Sequence, residues 1–407
     1  MIFRAEPGAL MFFSPEVGRT GIISGHELDK LKEWLYTGKQ NGFVRRLIDH
    51  RIINNSQDKK ENLCESLKLE VSKIGNCKAP IRSFSVPESL HIDLTTNCNI
   101  DCVQCYKNRL TPKDLDYGYL KLLIKEAAEI KVFQIAFGGG EPLVYPYILD
   151  AIKEVTSKGM ACTITTNGKA LDKELIENLK QAGIHHIQVS LNGSTEGVNI
   201  KSRGGYQEAV EALKNLSKFE ISYGINWTAR RDNLYDFDNM ICLAESVGAN
   251  NINVLRMKPA FSEEINEQTL TREEFLRLAD TIRKYSRAKV AIKIDSSFSN
   301  LISYINKGRL SPLLAGCAAG RRFMAVDAYA GFRACSHIDH SEKFNSILDY
   351  WYNSEFLYGM RTLEESIGES CKTCSSKSFC RGCRAVCDCL YNDFYSGEVD
   401  CPAYRTV

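Results

Sequence analysis

The sequence predicts an α/β protein built on a largely parallel sheet with outer helices, preceded by a small module and followed by a cysteine-rich tail. Three observations carry that expectation. From Leu90 onward, apolar strand-like runs alternate with amphipathic stretches six times. The first 80 residues differ in texture, with short β-like runs followed by short helical ones. Nine of the sixteen cysteines fall between positions 317 and 401. The expected divisions are 1–80, 88–258, a bridging region 259–316, and 317–407.

The chain has 407 residues, enough for two or three domains. Its 52 Lys and Arg nearly cancel 50 Asp and Glu, which gives no case for nucleic acid or an anionic membrane. No apolar run reaches the roughly 18 residues of a membrane-spanning helix. Glu6 and Pro7 stand where a signal peptide would have its apolar stretch, so a cytoplasmic protein is expected. A reducing compartment disfavours disulfides, and most of the sixteen cysteines therefore ask for metal. Cys64, Cys77, Cys162 and Cys242 stand alone and read as incidental.

In chain order, Ile2-Phe-Arg, Ala9–Phe13 and Gly21–Ser24 are β-like runs, with Pro7-Gly8 as a turn. A helix follows His26, with apolar residues at 28, 31, 34 and 35 and a stop at Gly38; a second runs from Gly42 to His50. A few strands followed by two or three short helices resembles the winged-helix peptide-binding module of some peptide-modifying enzymes; a plain packing extension fits the same pattern. Pro80 and Pro87 mark a linker near 75–88.

The first strand of the main region is Leu90-His-Ile-Asp-Leu94, and Cys98, Cys102 and Cys105 follow on the loop that leaves it. Thiolates anchor zinc and iron–sulfur clusters. A structural zinc closes with a fourth ligand, yet no Cys or His follows Cys105 at finger-like distance. A cubane held by three thiolates would leave one iron open. Buried apolar cysteines are the bland alternative, but a core does not need three thiols on one short loop.

CxxxCxxC after a first strand resembles the signature of the radical S-adenosylmethionine (SAM) superfamily. The resemblance implies a partial (β/α)6 TIM-like barrel and a 4Fe-4S cluster on these three cysteines. It also implies SAM bound to the open iron and cleaved to a 5′-deoxyadenosyl radical.

Further strands are expected at 132–137, 161–166, 186–191, 222–228 and 251–256, with helices at 119–130, 171–182 and 206–218 among those between them. By pattern the sheet is either doubly wound or curled, and ligands sit at the carboxyl ends of its strands in both cases. Gly138-Gly139-Gly140-Glu141-Pro142 follows the second strand; alone it would be a turn, and the resemblance makes it the stretch that holds the SAM amino group, aligned as Gly138-Gly139-x-Glu141-Pro142. Thr165-Thr-Asn167-Gly168 resembles the family's turn beside the ligand. Ser190-Leu-Asn192-Gly193 falls where the family commonly has S-[IL]-D-G near the ribose, with an amide replacing the acid. Arg203 stands where related enzymes place an arginine for the SAM carboxylate.

Beyond Met257-Lys-Pro259 a helix near 271–287 and a strand near 289–295 lead to the tail, with Asp295 a turn residue or a proton acceptor. Cys371, Cys374, Cys380, Cys383 and Cys401, preceded by Cys317 and Cys335, resemble the SPASM extension, as do Phe344–Trp351, Leu357 and Arg361. The resemblance implies two auxiliary 4Fe-4S clusters, three with that of Cys98. By its interleaved pattern Cys317, Cys335 and Cys383 hold one, and Cys371, Cys374, Cys380 and Cys401 the other. Two spacings are one residue shorter than the family's, so Cys387 or Cys389 could replace Cys383, or the first cluster could keep an open iron. Paired zinc ribbons are the competing reading of the tail.

The resemblance implies a maturase that forms a thioether or carbon–carbon crosslink in a ribosomally made precursor peptide, with a flavodoxin- or ferredoxin-like reductant. Formylglycine formation on a sulfatase, oxidation of a small molecule, and an iron–sulfur scaffold without SAM chemistry are the alternatives. No Ser–His–Asp or HExxH arrangement competes. His185-His186 and Arg321-Arg322 read as solvated surface.

Overall fold

The computed structural model describes residues 1–407 except 16–18, 51, 54–56, 108–110, 259–265, 307–315, 378–379, 399–400 and 402–407. The boundary at Pro259 and part of the bridging region lie outside the described residues.

Strands β1 (Ile2–Glu6), β2 (Ala9–Ser14) and β3 (Arg19–Ser24) form an antiparallel sheet in that order, with Gly8 at φ +69° in the first turn. Helices α1 (Gly25–Thr37), α2 (Gly42–Asp49) and α3 (Gln57–Lys73) follow. The helix spacing 28, 31, 34, 35 is the buried stripe of α1, and Gly38 closes it in the left-handed conformation. One face of the sheet, through Phe3, Leu10 and Ile23, shares a core with Leu31, Trp34, Val44, Leu67 and Val71. The other face packs Met11 and Phe13 on Phe84, Phe133 and Ala161, with the Phe13 and Phe133 rings stacked at 5.6 Å. The third helix is longer than the short one expected, with 17 residues.

The main sheet has nine strands. β4 (Ser89–Thr95), β5 (Gln134–Gly139), β6 (Ala161–Thr166), β7 (His186–Ser190), β8 (Ser222–Ala229), β9 (Asn251–Arg256) and β10 (Ala291–Ile294) are parallel and paired in sequence order. Sequential order decides between the two arrangements: the sheet curls as an open barrel, with no reversal of strand order. Beyond the six expected strands, the expected 289–295 strand joins as β10. β11 (Phe323–Val326), from the tail, pairs parallel with β4, and β12 (Phe332–Arg333) lies antiparallel outside it.

Alternation explains the layering. Leu90, Ile92, Ile135, Phe137, Ile164, Ile187, Val189, Ile225, Ile252 and Val254 are buried in the core that the outer helices complete. Helix Tyr117–Glu129, for example, contributes Leu120, Leu123, Ile124 and Ala127 and is capped by the Asp116 carboxylate accepting from Tyr119 N–H. Many of the intervening residues are polar, among them His91, Asp93, Gln134, Thr163, Thr165, Gln188, Asn226, Thr228 and Asn253.

Phe133 precedes β5 and Ala161 opens β6, so the N-terminal module docks at the amino ends of the strands. The linker is pinned between parts: Phe84 N–H donates to Arg321 O at 3.0 Å, and Trp351 Nε1 donates to Phe84 O at 3.0 Å. Two surface expectations are corrected. His186 is half-buried, with Nδ1 2.8 Å from Ser222 Oγ and its pKa pushed down to about 4 by burial. Arg321 donates to Arg82 O at 3.0 Å, and Arg322 pairs with Glu88 at 3.4 Å, because both sit where the linker crosses the tail.

Candidate functional site

The cysteine loop leaves β4 at its carboxyl end. Thr95 Oγ1 and Asn97 Nδ2 donate to Asp114 Oδ1 at 2.5 and 3.1 Å, and Thr96 N–H donates to Lys113 O. These bonds pin the start of the cysteine loop, at residues 95–97, to residues 113 and 114. Its three thiols feel one another's charge. Burial pushes Cys98 and Cys102 above the ordinary thiol range; the charges of Glu141 and Cys105 add to it at Cys98, and those of Cys105 and Cys98 at Cys102, despite the opposing pull of Arg203 on Cys102. A cationic group bound between them would reverse that penalty.

The turn after β5 is built onto this loop. Gly140 N–H donates to Thr95 O at 2.7 Å and Glu141 N–H to Asn97 O at 2.8 Å. A Cβ on Gly139 would stand 2.2 Å from Thr95 O, and one on Gly140 2.1 Å from Asn97 O. Only glycine lets the two backbones approach so closely. Gly138 lies beside the His91 ring. The Glu141 carboxylate, 1% exposed, accepts from Thr166 Oγ1 (2.7 Å), Asn167 N–H (2.7 Å) and Leu143 N–H (3.1 Å). It therefore ties β5 to the turn after β6, and burial pushes its pKa up. Asn167 completes the contact: its Nδ2 lies 2.7 Å from Asn99 Oδ1 and 3.8 Å from Cys98 Sγ.

Arg203 reaches the end of β7, where Nη1 lies 3.4 Å from Ser190 O, and its Nε is buried with no hydrogen-bond partner. An orphaned guanidinium donor beside Cys102 suits an anionic group such as a carboxylate. Asn192 is engaged by the framework, with Nδ2 donating to Ser202 Oγ at 3.0 Å and Oδ1 accepting Thr228 N–H at 3.0 Å. The structure thus gathers Cys98, Cys102, Cys105, Gly138, Gly139, Gly140, Glu141, Asn167, Ser190 and Arg203 around the carboxyl ends of β4–β7. Three thiols and a guanidinium with one buried, unpartnered donor fit a cluster with SAM.

Sequence reasoning missed what lies beneath. Lys107 Nζ contacts buried Asp93 at 2.5 Å, and His91 Nε2 lies 3.0 Å from the same oxygen. Burial works against the Asp93 charge, but Lys107 and His91 outweigh it and hold the carboxyl well below its usual range. Tyr106 lies 4.3 Å, ring to ring, from His337 of the tail. The inner sheet face is polar and cross-bonded, as in Asn253 Nδ2 to Asn226 Oδ1 at 3.2 Å. A charge at an alternate position of an apolar strand, as at Asp93, was the available signal.

In the tail, Cys371, Cys374, Cys380 and Cys401 line one cavity with Asn300, Ser376 and Glu398. Cys317, Cys335 and Cys383 feel each other's charge as a separate set, with burial pushing Cys317 up to about 11 and Cys335 up to about 12. Cys383 caps helix Arg384–Tyr391; Cys387, one turn on, is buried, and Cys389 is exposed. Among the described residues no three His, Cys, Asp or Glu side chains converge as a single-ion site.

Residues 92–240 match the radical SAM superfamily model. The chain is similar to the AdoMet-dependent heme synthase of Methanosarcina barkeri, 24% identical over 347 residues and covering 79% of this chain and 98% of that one. It is similar to the mycofactocin maturase MftC of Mycobacterium tuberculosis, 27% identical over 330 residues, with 78% and 81% covered. Streptococcus suis SuiB, solved with S-adenosylmethionine, shares the fold at a TM-score of 0.76 and 16% identity over 98% of both chains; it has also been solved with precursor peptide SuiA. With the cysteine loop, glycine turn and open barrel in place, residues 92–240 form a radical SAM domain, and the chain is an enzyme.

Proposed function

We propose that this enzyme is a peptide maturase that installs an intramolecular thioether or carbon–carbon crosslink in a ribosomally synthesised precursor peptide. The observation that carries the reading is the likeness to SuiB, which spans 98% of both chains and so takes in the N-terminal module as well as the barrel and tail. SuiB is bound to a precursor peptide in one structure, and MftC is by name a maturase. The likeness to a heme synthase favours a small-molecule substrate as the second reading, but that match covers 79% of this chain.

Cys98, Cys102 and Cys105 would hold a 4Fe-4S cluster, which together with bound SAM would supply the hydrogen-abstracting chemistry. Arg203 would receive the SAM carboxylate through its orphaned Nε. Asn167 and Glu141 keep the two glycine turns against the cysteine loop, which fixes the reacting carbon relative to the substrate. The polar inner face gives a peptide backbone hydrogen-bonding partners, and the outer helices exclude water. Cys371, Cys374, Cys380 and Cys401 would hold one auxiliary cluster, and Cys317, Cys335 and Cys383 three corners of another.

β3 is an edge of its sheet, open to a peptide strand added by backbone hydrogen bonds. That edge and the cysteine loop lie at opposite ends of strands such as the six-residue β5. A bound precursor would cross about 20 Å, at roughly 3.3 Å per residue. Its recognition and reaction segments would then need at least about six residues between them.

The test uses reduced, anaerobic protein, SAM and the short peptide encoded beside it. The expected product has lost two hydrogen atoms and appears with 5′-deoxyadenosine. 5′-Deoxyadenosine without loss of hydrogen from any such peptide would overturn the peptide reading and leave the superfamily chemistry standing.

A further inference from the structure

The tail departs from its family's spacing by one residue: the position where a three-residue spacer would put the thiol after Cys380 holds Arg384, and Cys383 comes one place early. Arg384 is 1% exposed. Its Nη1 donates to Phe394 O at 2.9 Å and to Ser396 O at 2.8 Å. Its Nε and Nη2 are buried with no hydrogen-bond partner.

The nearest carboxylate does not answer the charge. Gly382 places Glu398 Oε1 and Arg384 Nη2 on the same side, since a Cβ there would lie 2.5 Å from one and 2.7 Å from the other. Yet Glu398, 2% exposed, is already engaged by other groups. It pairs with Arg256 Nη1 at 2.6 Å and accepts from Cys383 N–H at 2.6 Å and Asn300 Nδ2 at 2.7 Å. That bond set couples the end of β9 to the tail and leaves Arg384 in no ion pair among the described residues. A buried cation with two idle donor nitrogens is costly unless an anion faces it. Both thiol groups feel its charge, through Cys317 on one side and Cys371 on the other.

A cluster held by thiolates is anionic, and more so once reduced. Hydrogen bonds to its sulfurs and nearby charge set its potential. We propose that Arg384 is a positioning residue of the auxiliary clusters: its Nε–H and Nη2–H groups face cluster sulfur, and its charge favours the reduced form. The tail thereby becomes a better electron acceptor than its thiols alone would make it. This rests on the two-cluster reading of the tail and not on the identity of the substrate.

The experiment compares wild type, Arg384→Gln and Arg384→Lys, reconstituted anaerobically, by iron and sulfide content and by redox titration followed by electron paramagnetic resonance. No peptide is needed. In Arg384→Gln the auxiliary potentials are expected to move to more negative values, and in Arg384→Lys by less. The signal of the cluster on the Cys98 loop should stay where it was. Loss of auxiliary iron from the glutamine variant with retention in the lysine variant also supports the role, because lysine restores the positive charge that glutamine lacks. Unchanged potentials with full iron overturn it. Equal loss of auxiliary iron from both variants also overturns it, since the side chain is then only a brace for residues 394 and 396. A wild-type protein that binds iron at the Cys98 loop alone overturns the two-cluster reading and this inference together.

Discussion

Arg203 and Gly140 show two ways in which one residue serves the same site. Arg203 keeps a buried donor idle beside Cys102, so its value lies in what it binds. Arg203→Ala should weaken SAM binding by ~10- to 100-fold, the worth of a charge-assisted hydrogen bond, with iron content unchanged in the loaded protein. Calorimetric titration of SAM into the reconstituted variant reads this directly. Gly140 binds nothing itself; its missing side chain lets Asn97 O approach. Gly140→Ala forces the cysteine loop outward, and the expected outcome is loss of one cluster's iron with the tail still loaded, read by iron analysis and electron paramagnetic resonance. These two residues and the three thiols were legible in the sequence because short motifs carry them. The framework duty of Asn192 and the Asp93–Lys107 pair were not, since their partners are set by tertiary contacts that no local spacing encodes.

At the scale of elements, the six strands from β4 to β9 were readable because a strand buried on one face repeats every two residues and its covering helix every three to four. β11 was not readable. It has four residues, and its register against β4, Phe323 opposite Ser89, closes a loop of more than two hundred residues. The length of α3 escaped for another reason: Gln57-Asp-Lys-Lys-Glu at its start carries no apolar period. What fixes β11 and the Cys317 loop is Arg361, whose Nε donates to Gly320 O at 2.6 Å and Nη1 to Trp351 O at 2.7 Å. Arg361→Ala removes both bonds inside a buried region and should cost about 2–4 kcal/mol. Arg361→Lys should rescue little, because one ammonium does not reproduce the fork. Thermal unfolding measures the cost, and iron content shows whether the Cys317 group loosens with it.

On the scale of the whole molecule, the proposed function requires the N-terminal module to stay seated on the barrel, so that recognition and reaction act on one peptide. Its seat combines the stacked Phe13 and Phe133 with a charged clasp: Glu70, 2% exposed, accepts from Ala5 N–H at 3.0 Å and contacts Lys131 and Lys73, each at 2.7 Å. Burial works to raise the Glu70 pKa, but the hydrogen bonds from Lys131, Lys73 and Ala5 outweigh it, so the folded value lies below the ordinary one. A carboxyl with a depressed folded pKa contributes stability that is complete above its unfolded pKa, about 4.3, and is lost as pH falls through the folded value. Glu6 works in the opposite sense, because burial raises its pKa. The informative quantity is therefore the difference between wild type and Glu70→Gln. Near pH 7 the variant should be less stable, with faster amide exchange in β1 and in Phe133–Gln134 where the module meets the barrel. The two proteins should converge only once pH has fallen through the depressed folded value, because wild-type Glu70 then becomes neutral as well. A stability gap that stayed constant from pH 7 down to pH 3 would show that Glu70 acts through packing alone and that charge does not hold the module in its seat.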